Sequence, residues 1–147
     1  MDGIEYRVNR NEYHNLRKGK DHALQRTDRE DHWLCAYRVY NKMGFGFLES
    51  VYEKCLLIEL REAALRVESQ QPITVRYDGE IVGEFIADIV VEDIIILELK
   101  SVRRVIKAHE MQLMNYLVGT GKPVGLVLNF GEKKVEVRRK VKKLAQG

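Results

Sequence analysis

Three ionisable residues stand in apolar, strand-like segments where a charge is costly to bury. Glu98 and Lys100 lie two positions apart in Ile94–Lys100, so the alternation of side chains along a strand puts both on one face. Asp88 stands in the apolar run 85–90 that precedes them. A carboxylate or an ammonium inside such a segment requires compensation by a partner charge, hydrogen bonds or a metal ion.

The three side chains are the types that metal-assisted phosphodiester hydrolysis uses. Asp88 and Glu98 offer the oxygen ligands that Mg²⁺ or Mn²⁺ binds. Lys100 could position or activate the attacking water and offset the negative charge that develops during hydrolysis. The alternative, which the sequence leaves open, is a buried salt bridge between Lys100 and one of the carboxylates, without a metal ion.

A metal site requires that Asp88 and Glu98 face the same side of the sheet. If Glu92–Asp93 were a plain two-residue turn, Asp88 would lie opposite Leu97. A loop of three or five residues, or a bulge, would bring it opposite Glu98. The hypothesis therefore predicts an irregularity within Val90–Ile95.

The elements that must position these residues follow from changes in hydrophobic period. A spacing of three to four predicts a helix from about Asp31 that ends at Gly44 or Gly46, and a second helix over 47–65. The pair Asp78–Gly79 indicates a type I′ hairpin turn, because that turn needs positive φ. The predicted strands are 72–77, 81–91, 94–100, 124–130 and 135–141, the last an edge strand, with a helix at 107–119.

This order predicts an α/β fold in which helices flank a mixed sheet. The third strand, the helix and the fourth strand form a right-handed parallel crossover. The chain of 147 residues, 45% hydrophobic and 32% charged, is typical of a soluble globular protein. We expect a polar N-terminal arm at 1–28 and one folded domain at 29–147.

Composition also sets expectations about location and redox state. No basic-then-apolar leader and no long apolar run is present, which predicts a cytoplasmic protein with no membrane association. Cys35 and Cys55 are predicted to be buried free thiols rather than a disulfide or zinc ligands.

Positive charge is modest in total but clustered. The net charge of +3 permits nucleic-acid binding without arguing for it. Clustered lysine and arginine attract phosphates, although lysines on an edge strand also serve solubility. The two clusters are Lys100, Arg103, Arg104 and Lys107, and the C-terminal group Lys133, Lys134, Arg138, Arg139, Lys140, Lys142 and Lys143.

Four segments in order resemble a known family. The segments are Gly46-Phe47-Leu48-Glu49-Ser50-Val51-Tyr52, Asp88 with Glu98-Leu99-Lys100, 109–117 and 126–131. Over residues 32 to 141 the chain resembles the PD-(D/E)XK nuclease-like superfamily, and more narrowly the GxxExxY family. Ala87 stands where the superfamily's name has proline.

The resemblance implies a restriction-endonuclease-like fold with the core order αβββαβ, and it implies roles for six residues. Asp88 and Glu98 would be magnesium ligands, and Lys100 the catalytic lysine. Glu49 matches a helix-borne acid that completes the metal site, while Gln112 and Tyr116 resemble a QxxxY element that helps to place the substrate.

The residues themselves leave simpler interpretations open for the helical members of this set. Glu49 could be a first-turn acid favoured by the helix dipole. Tyr116 could be a core residue with its hydroxyl hydrogen-bonded. His109, near a predicted helix start, is interpreted as a surface or capping residue rather than a ligand.

The resulting expectation is a nuclease dependent on Mg²⁺ or Mn²⁺ that acts on DNA, and the small size of the domain is compatible with a homodimer. Nuclease activity is here an inference from the superfamily. The alternative is a catalytically silent module of the same fold that binds nucleic acid or a protein partner. A third reading is a structural subunit that uses the N-terminal arm as its contact.

Overall fold

This computed structural model describes residues 4–5 and 30–142 of the chain, which contain helices and strands. They occur in the order β1, α1, α2, β2, β3, β4, α3, β5 and β6. Their bounds are Ile4–Glu5, Glu30–Met43, Glu49–Glu62, Val67–Tyr77, Glu80–Val91, Ile95–Lys100, Lys107–Thr120, Val124–Phe130 and Val135–Val141.

The strands form one mixed sheet in the order β1-β6-β5-β4-β3-β2. Strands β4 and β5 are parallel and are joined through α3, whereas the other neighbouring pairs are antiparallel. The predicted α/β architecture, with the core order αβββαβ, is confirmed.

The predicted elements need two corrections. Strand β2 begins at Val67 rather than at residue 72, because the polar stretch before Pro72 pairs with β3 although its composition is typical of a loop. Strand β6 is not the outermost strand, since Ile4–Glu5 pairs with Val137 and Glu136. The rest of the predicted arm, 1–28, lies outside the described residues.

Helices cover both faces of the sheet. Helices α1 and α2 bury one apolar cluster against alternate residues of β4, among them Leu97 and Leu99. Helix α3 buries a second cluster on the other face, where Leu113 packs near Ile96. Within α1, Cys35 is buried, whereas within α2, Cys55 is only half-buried, and no disulfide joins them. None of the described helices is long and apolar enough to cross a membrane.

The ribbon of β2 and β3 changes the face that it presents to the helices. Val67 and its partner Val91 pack with the α1–α2 cluster, whereas Ile73 and Ala87 pack with the α3 cluster. Residues an even number of positions apart normally share a face, so both strands must rotate between these pairs. Gln70 lies at the point of rotation with φ of +53°. The twist sets apart a distal ribbon that ends in Asp78–Gly79, whose positive φ values confirm the type I′ turn.

Tyr52 fixes the loop that joins α1 to α2. Its buried ring stacks on Phe130 with the centroids 4.2 Å apart. Its hydroxyl donates to the carbonyl of Gly44 and accepts from the amide of Phe47. Gly46, with φ of +110°, gives the loop a turn that favours glycine. The start of α2, and with it Glu49, is thereby held against the sheet.

Replacing Tyr52 with phenylalanine should lower the free energy of unfolding by about 1–2 kcal/mol, because two backbone groups lose their partner. Urea unfolding measures the change. The matched control is Tyr77→Phe, since the Tyr77 side chain is 72% exposed at the hairpin and should contribute nothing. Equal stability of the two variants would contradict the anchoring role of the Tyr52 hydroxyl.

Candidate active site

A three-residue loop brings Asp88 opposite Glu98. Val91 pairs with Ile95, so residues 92–94 connect β3 to β4, and Glu92 and Asp93 both have positive φ. The pairing of Ile89 with Leu97 then places Asp88 directly across from Glu98. The irregularity that a shared site requires is confirmed.

The two carboxylates replace backbone pairing where the regular register of β3 and β4 ends. The amide of Asp88 donates to Oε1 of Glu98 at 3.2 Å. In return, the amide of Leu99 donates to Oδ2 of Asp88 at 2.9 Å. Each acid is therefore oriented by the backbone of the neighbouring strand, and the two strands separate beyond this point.

Burial perturbs both acids, and the charge of Asp88 adds to the shift at Glu98. Glu98 is 5% exposed, and burial, together with the negative charge of Asp88, raises its pKa to about 8. Burial also raises the pKa of Asp88, although the Leu99 amide, Lys100 and Gln70 oppose that shift. At neutral pH the pair therefore retains a proton on Glu98 unless another positive charge replaces it. A bound divalent cation would supply that positive charge.

Lys100 lies on the same strand face as Glu98 and is half-buried. Its charge lowers the pKa values of both acids, yet no ion pair within 4.0 Å joins it to either of them among the described residues. The alternative of a closed salt bridge is therefore not what the structure shows. The ammonium group stays near the carboxylates without neutralising them through contact.

Asn129 holds the segment that follows Lys100. It is buried next to Lys100 in the parallel pair of β4 and β5. Its side-chain amide accepts from the amide of Val102 and donates to the carbonyl of Val102, both at 2.9 Å. It also donates to Glu136 at 3.1 Å. Because Asn129 imitates a strand partner, it fixes the direction in which the chain leaves the site.

Glu49 approaches the pair from the first turn of α2. Its side chain is exposed, and its negative charge contributes to the raised pKa of Glu98. Ser101 ties this region to the end of β4, because its hydroxyl donates to the carbonyl of Phe47 at 2.9 Å. No three acidic, histidine or cysteine side chains of the described residues are grouped closely enough to bind one metal ion. The structure thus pairs Asp88 with Glu98, and Glu49 stays a prediction as a ligand.

Helix α3 places Tyr116 beside the carboxylates but not Gln112. Tyr116 is buried against Phe85, and burial, followed by the charges of Glu98 and Asp88, raises its pKa. Gln112 is exposed one turn earlier and makes no side-chain hydrogen bond to the described residues. Nδ1 of His109 accepts from the backbone amide of Ile106 at 3.2 Å, which confirms its interpretation as a capping residue.

Comparison with known proteins agrees with this geometry. The family model described as the PD-(D/E)XK nuclease superfamily matches residues 29–140. The chain belongs to the PD-(D/E)XK nuclease superfamily. Among solved structures, the crystal structure of a protein called SSO0001 superimposes with a TM-score of 0.50 at 18% sequence identity. The match covers 65% of this chain and 50% of that one, and it shows similarity of fold alone. No curated protein matches the chain.

Sequence reasoning missed one polar residue of this PD-(D/E)XK site. Gln70 occupies the β2 position between the pairs Ser69–Ile89 and Gln71–Ala87, which places it opposite Asp88. Its side-chain amide donates to both oxygens of Glu53, at 2.9 and 3.1 Å, and its polar side chain also lowers the pKa of Asp88.

No sequence signal marks this role, because the polar stretch around Gln70 lies between the predicted helix 47–65 and the predicted strand 72–77. A left-handed backbone at a residue other than glycine or asparagine costs of order 1 kcal/mol or more. The strained residue, Gln70, is the one that lies opposite Asp88.

Stability without divalent ions should fall as the pH rises from about 5 to 8. The folded state keeps a proton on Glu98 in that range, whereas the unfolded chain has released it, so each pH unit costs at most about 1.4 kcal/mol. Urea unfolding in EDTA at several pH values measures the slope, and Glu98→Gln should flatten it. Asp93→Asn is the control, because the lowered pKa of Asp93 puts its titration below this window. An unchanged slope in Glu98→Gln would refute the assignment.

Replacing Gln70 with glycine should lower the free energy of unfolding by less than the same change at Gln71, because glycine adopts positive φ without strain and so offsets the lost hydrogen bonds to Glu53. Gln71→Gly is the matched control on the same strand. Gln71 lacks positive φ, so glycine there should lower stability by about 0.5–1 kcal/mol. Chemical denaturation measures both variants. A loss of stability in Gln70→Gly equal to that in Gln71→Gly would show that the backbone at Gln70 is not strained.

Proposed function

We propose that this chain is a nuclease that requires Mg²⁺ or Mn²⁺ and hydrolyses phosphodiester bonds of DNA. The observation that carries the proposal is the facing pair Asp88 and Glu98, with Lys100 two residues further along the same strand. Membership of the PD-(D/E)XK nuclease superfamily supports the same class of chemistry.

The site fits a divalent cation of this kind. Mg²⁺ keeps several of its waters and is commonly held by one or two carboxylates, so the pair Asp88 and Glu98 is a sufficient donor set. Burial raises the pKa values of both acids by more than the charge of Lys100 lowers them, so a bound cation would favour their charged forms. Glu49, at the start of α2, would add a third carboxylate directly or through water.

Each residue of the site has a proposed role. The bound cation would stabilise the negative charge of the phosphodiester and lower the pKa of a coordinated water. Asp88 and Glu98 would hold it in an orientation fixed by the amides of Leu99 and Asp88. Lys100 would orient the attacking water and offset negative charge that develops on the phosphate oxygens.

The proposed roles of the α3 residues are substrate placement. Tyr116 lies against Phe85 beside the carboxylates, where its hydroxyl can meet a bound phosphodiester. Gln112 would act from the exposed face one turn earlier, where a substrate rather than the protein would be its partner.

We assign the chain within the superfamily to the GxxExxY family on the segment Gly46–Tyr52. The structure gives each named position a physical task that supports this assignment. Gly46 adopts positive φ, Glu49 acts on Glu98 by its charge, and the Tyr52 hydroxyl fixes the loop between them. We further propose that the folded domain comprises 29–147 and that residues 1–28 are an arm outside it.

Metal binding and cleavage should both depend on the strand residues. Calorimetry with Mn²⁺ should detect binding to the parent protein, and Asp88→Asn should weaken it at least about 10-fold, since one of two charged ligands is lost. Asp93→Asn is the control, because Asp93 lies in the loop that precedes β4, at the opposite end of that strand. Lys100→Met should keep metal binding yet reduce cleavage of plasmid and single-stranded DNA by about 100-fold or more. Equal cleavage by parent and Lys100→Met would refute the nuclease assignment, and absence of metal binding would favour a silent binding module.

A further inference from the structure

Three loops meet where the parallel strands β4 and β5 end. The hydroxyl of Ser101, one residue past β4, donates to the carbonyl of Phe47 in the loop between α1 and α2. Asn129, near the end of β5, binds both backbone groups of Val102. A Cβ on Gly131, in the turn after β5, would lie 3.7 Å from the Val102 carbonyl. The segments 44–48, 101–106 and 131–134 therefore form one rim beside Lys100.

Apolar side chains are exposed on this rim. Phe45 and Phe47 are 46% and 41% exposed, and Leu48 is 77% exposed. They belong to a loop whose backbone is fixed by Tyr52 and by Ser101, so the rings are presented by an ordered support. Aromatic rings gain free energy when they are buried, so a loop that keeps them in water forgoes that gain. Exposed rings on a fixed loop beside the proposed cleavage site therefore indicate a binding surface.

Cations stand on the same rim. Arg103 and Arg104 are exposed and follow Ser101 by two and three residues. Because consecutive Cα atoms are about 3.8 Å apart, the Cα of Arg103 lies no more than about 8 Å from that of Ser101. Lys107 is exposed at the start of α3, and Lys133 is exposed in the turn after β5. Aromatic faces combined with arginine and lysine form the surface that binds single-stranded nucleic acid, through base stacking and phosphate contacts.

We propose that the rim formed by 44–48, 101–106 and 131–134 binds single-stranded nucleic acid next to the cleavage site. The bases stack on Phe45 and Phe47, and Arg103 and Arg104 bind the phosphates. A paired duplex keeps its bases stacked inside the helix and offers no base face to these rings. This inference rests on the proposed function and deepens it, because it names a strand without a partner, or an unpaired end, as the substrate.

Binding is tested separately from cleavage, with the full chain in EDTA. Fluorescence anisotropy compares a labelled DNA strand of about 12 nucleotides with the duplex of the same sequence. The parent protein should bind the single strand more tightly. Phe45→Leu combined with Phe47→Leu should weaken single-strand binding by about 10-fold or more and duplex binding by less than about 2-fold.

Two controls keep the test specific. Tyr77→Leu removes a more exposed aromatic ring at the far hairpin and should bind both DNA forms as the parent does. Phe45→Leu alone guards against disturbance of the loop, because Phe47, unlike Phe45, packs edge-on against Tyr52. Arg103→Gln with Arg104→Gln should reduce the slope of log affinity against log salt by about 1.4 for the single strand.

The outcomes separate this inference from the nuclease proposal. Parent-like single-strand binding by both phenylalanine variants, or equal affinity for strand and duplex, overturns the inference even if the protein cleaves DNA. Phenylalanine-dependent binding by a protein without cleavage activity supports the rim as a nucleic-acid surface and overturns only the proposed hydrolysis.

Discussion

The carboxylates of Asp88 and Glu98 face each other on neighbouring strands with little exposure to water. The rest of the structure depends on this constraint. Asp88 and Glu98 repel one another, and burial adds to the cost of ionising them, so the pKa of Glu98 rises to about 8. The protein offsets this only in part, with two backbone amides and the nearby charge of Lys100. Selection for stability alone would favour apolar residues at these two positions. The cost of ionising both acids that remains would be offset by a bound cation, which is the physical reason for a cation site here.

Much of the surrounding structure serves to keep this pair in place. The three-residue loop 92–94 sets the register, and the Lys122 ammonium fixes that loop by hydrogen bonds to Asp93. At the other end of β4, Asn129 and Ser101 bind the chain as it leaves Lys100. These contacts come from three different segments of the chain, and each includes a hydrogen bond between a polar side chain and a backbone group. Side-chain hydrogen bonds thus hold both ends of β4, where the regular pairing of the sheet stops.

The sequence was sufficient for the parts governed by period and parity. Alternation placed Glu98 and Lys100 on one face, and the need for Asp88 to meet Glu98 predicted the irregular loop before β4. Residues governed by tertiary contacts escaped prediction. Gln70 stands in a polar stretch that favours a loop, and only the sheet reveals that it lies opposite Asp88. Gln112 matched a motif, yet its exposed position has no partner within the described residues. The pairing of β6 with Ile4–Glu5 had no local signal either.

Anomalous diffraction from crystals soaked in Mn²⁺ tests the central claim most directly, because it locates the ion without reference to activity. We expect one anomalous peak between the carboxylates of Asp88 and Glu98, with ligand distances typical of oxygen donors, and no such peak in Glu98→Gln crystals soaked in the same way. A fully soaked crystal in which the two acids bind only each other and their amide donors would contradict the account.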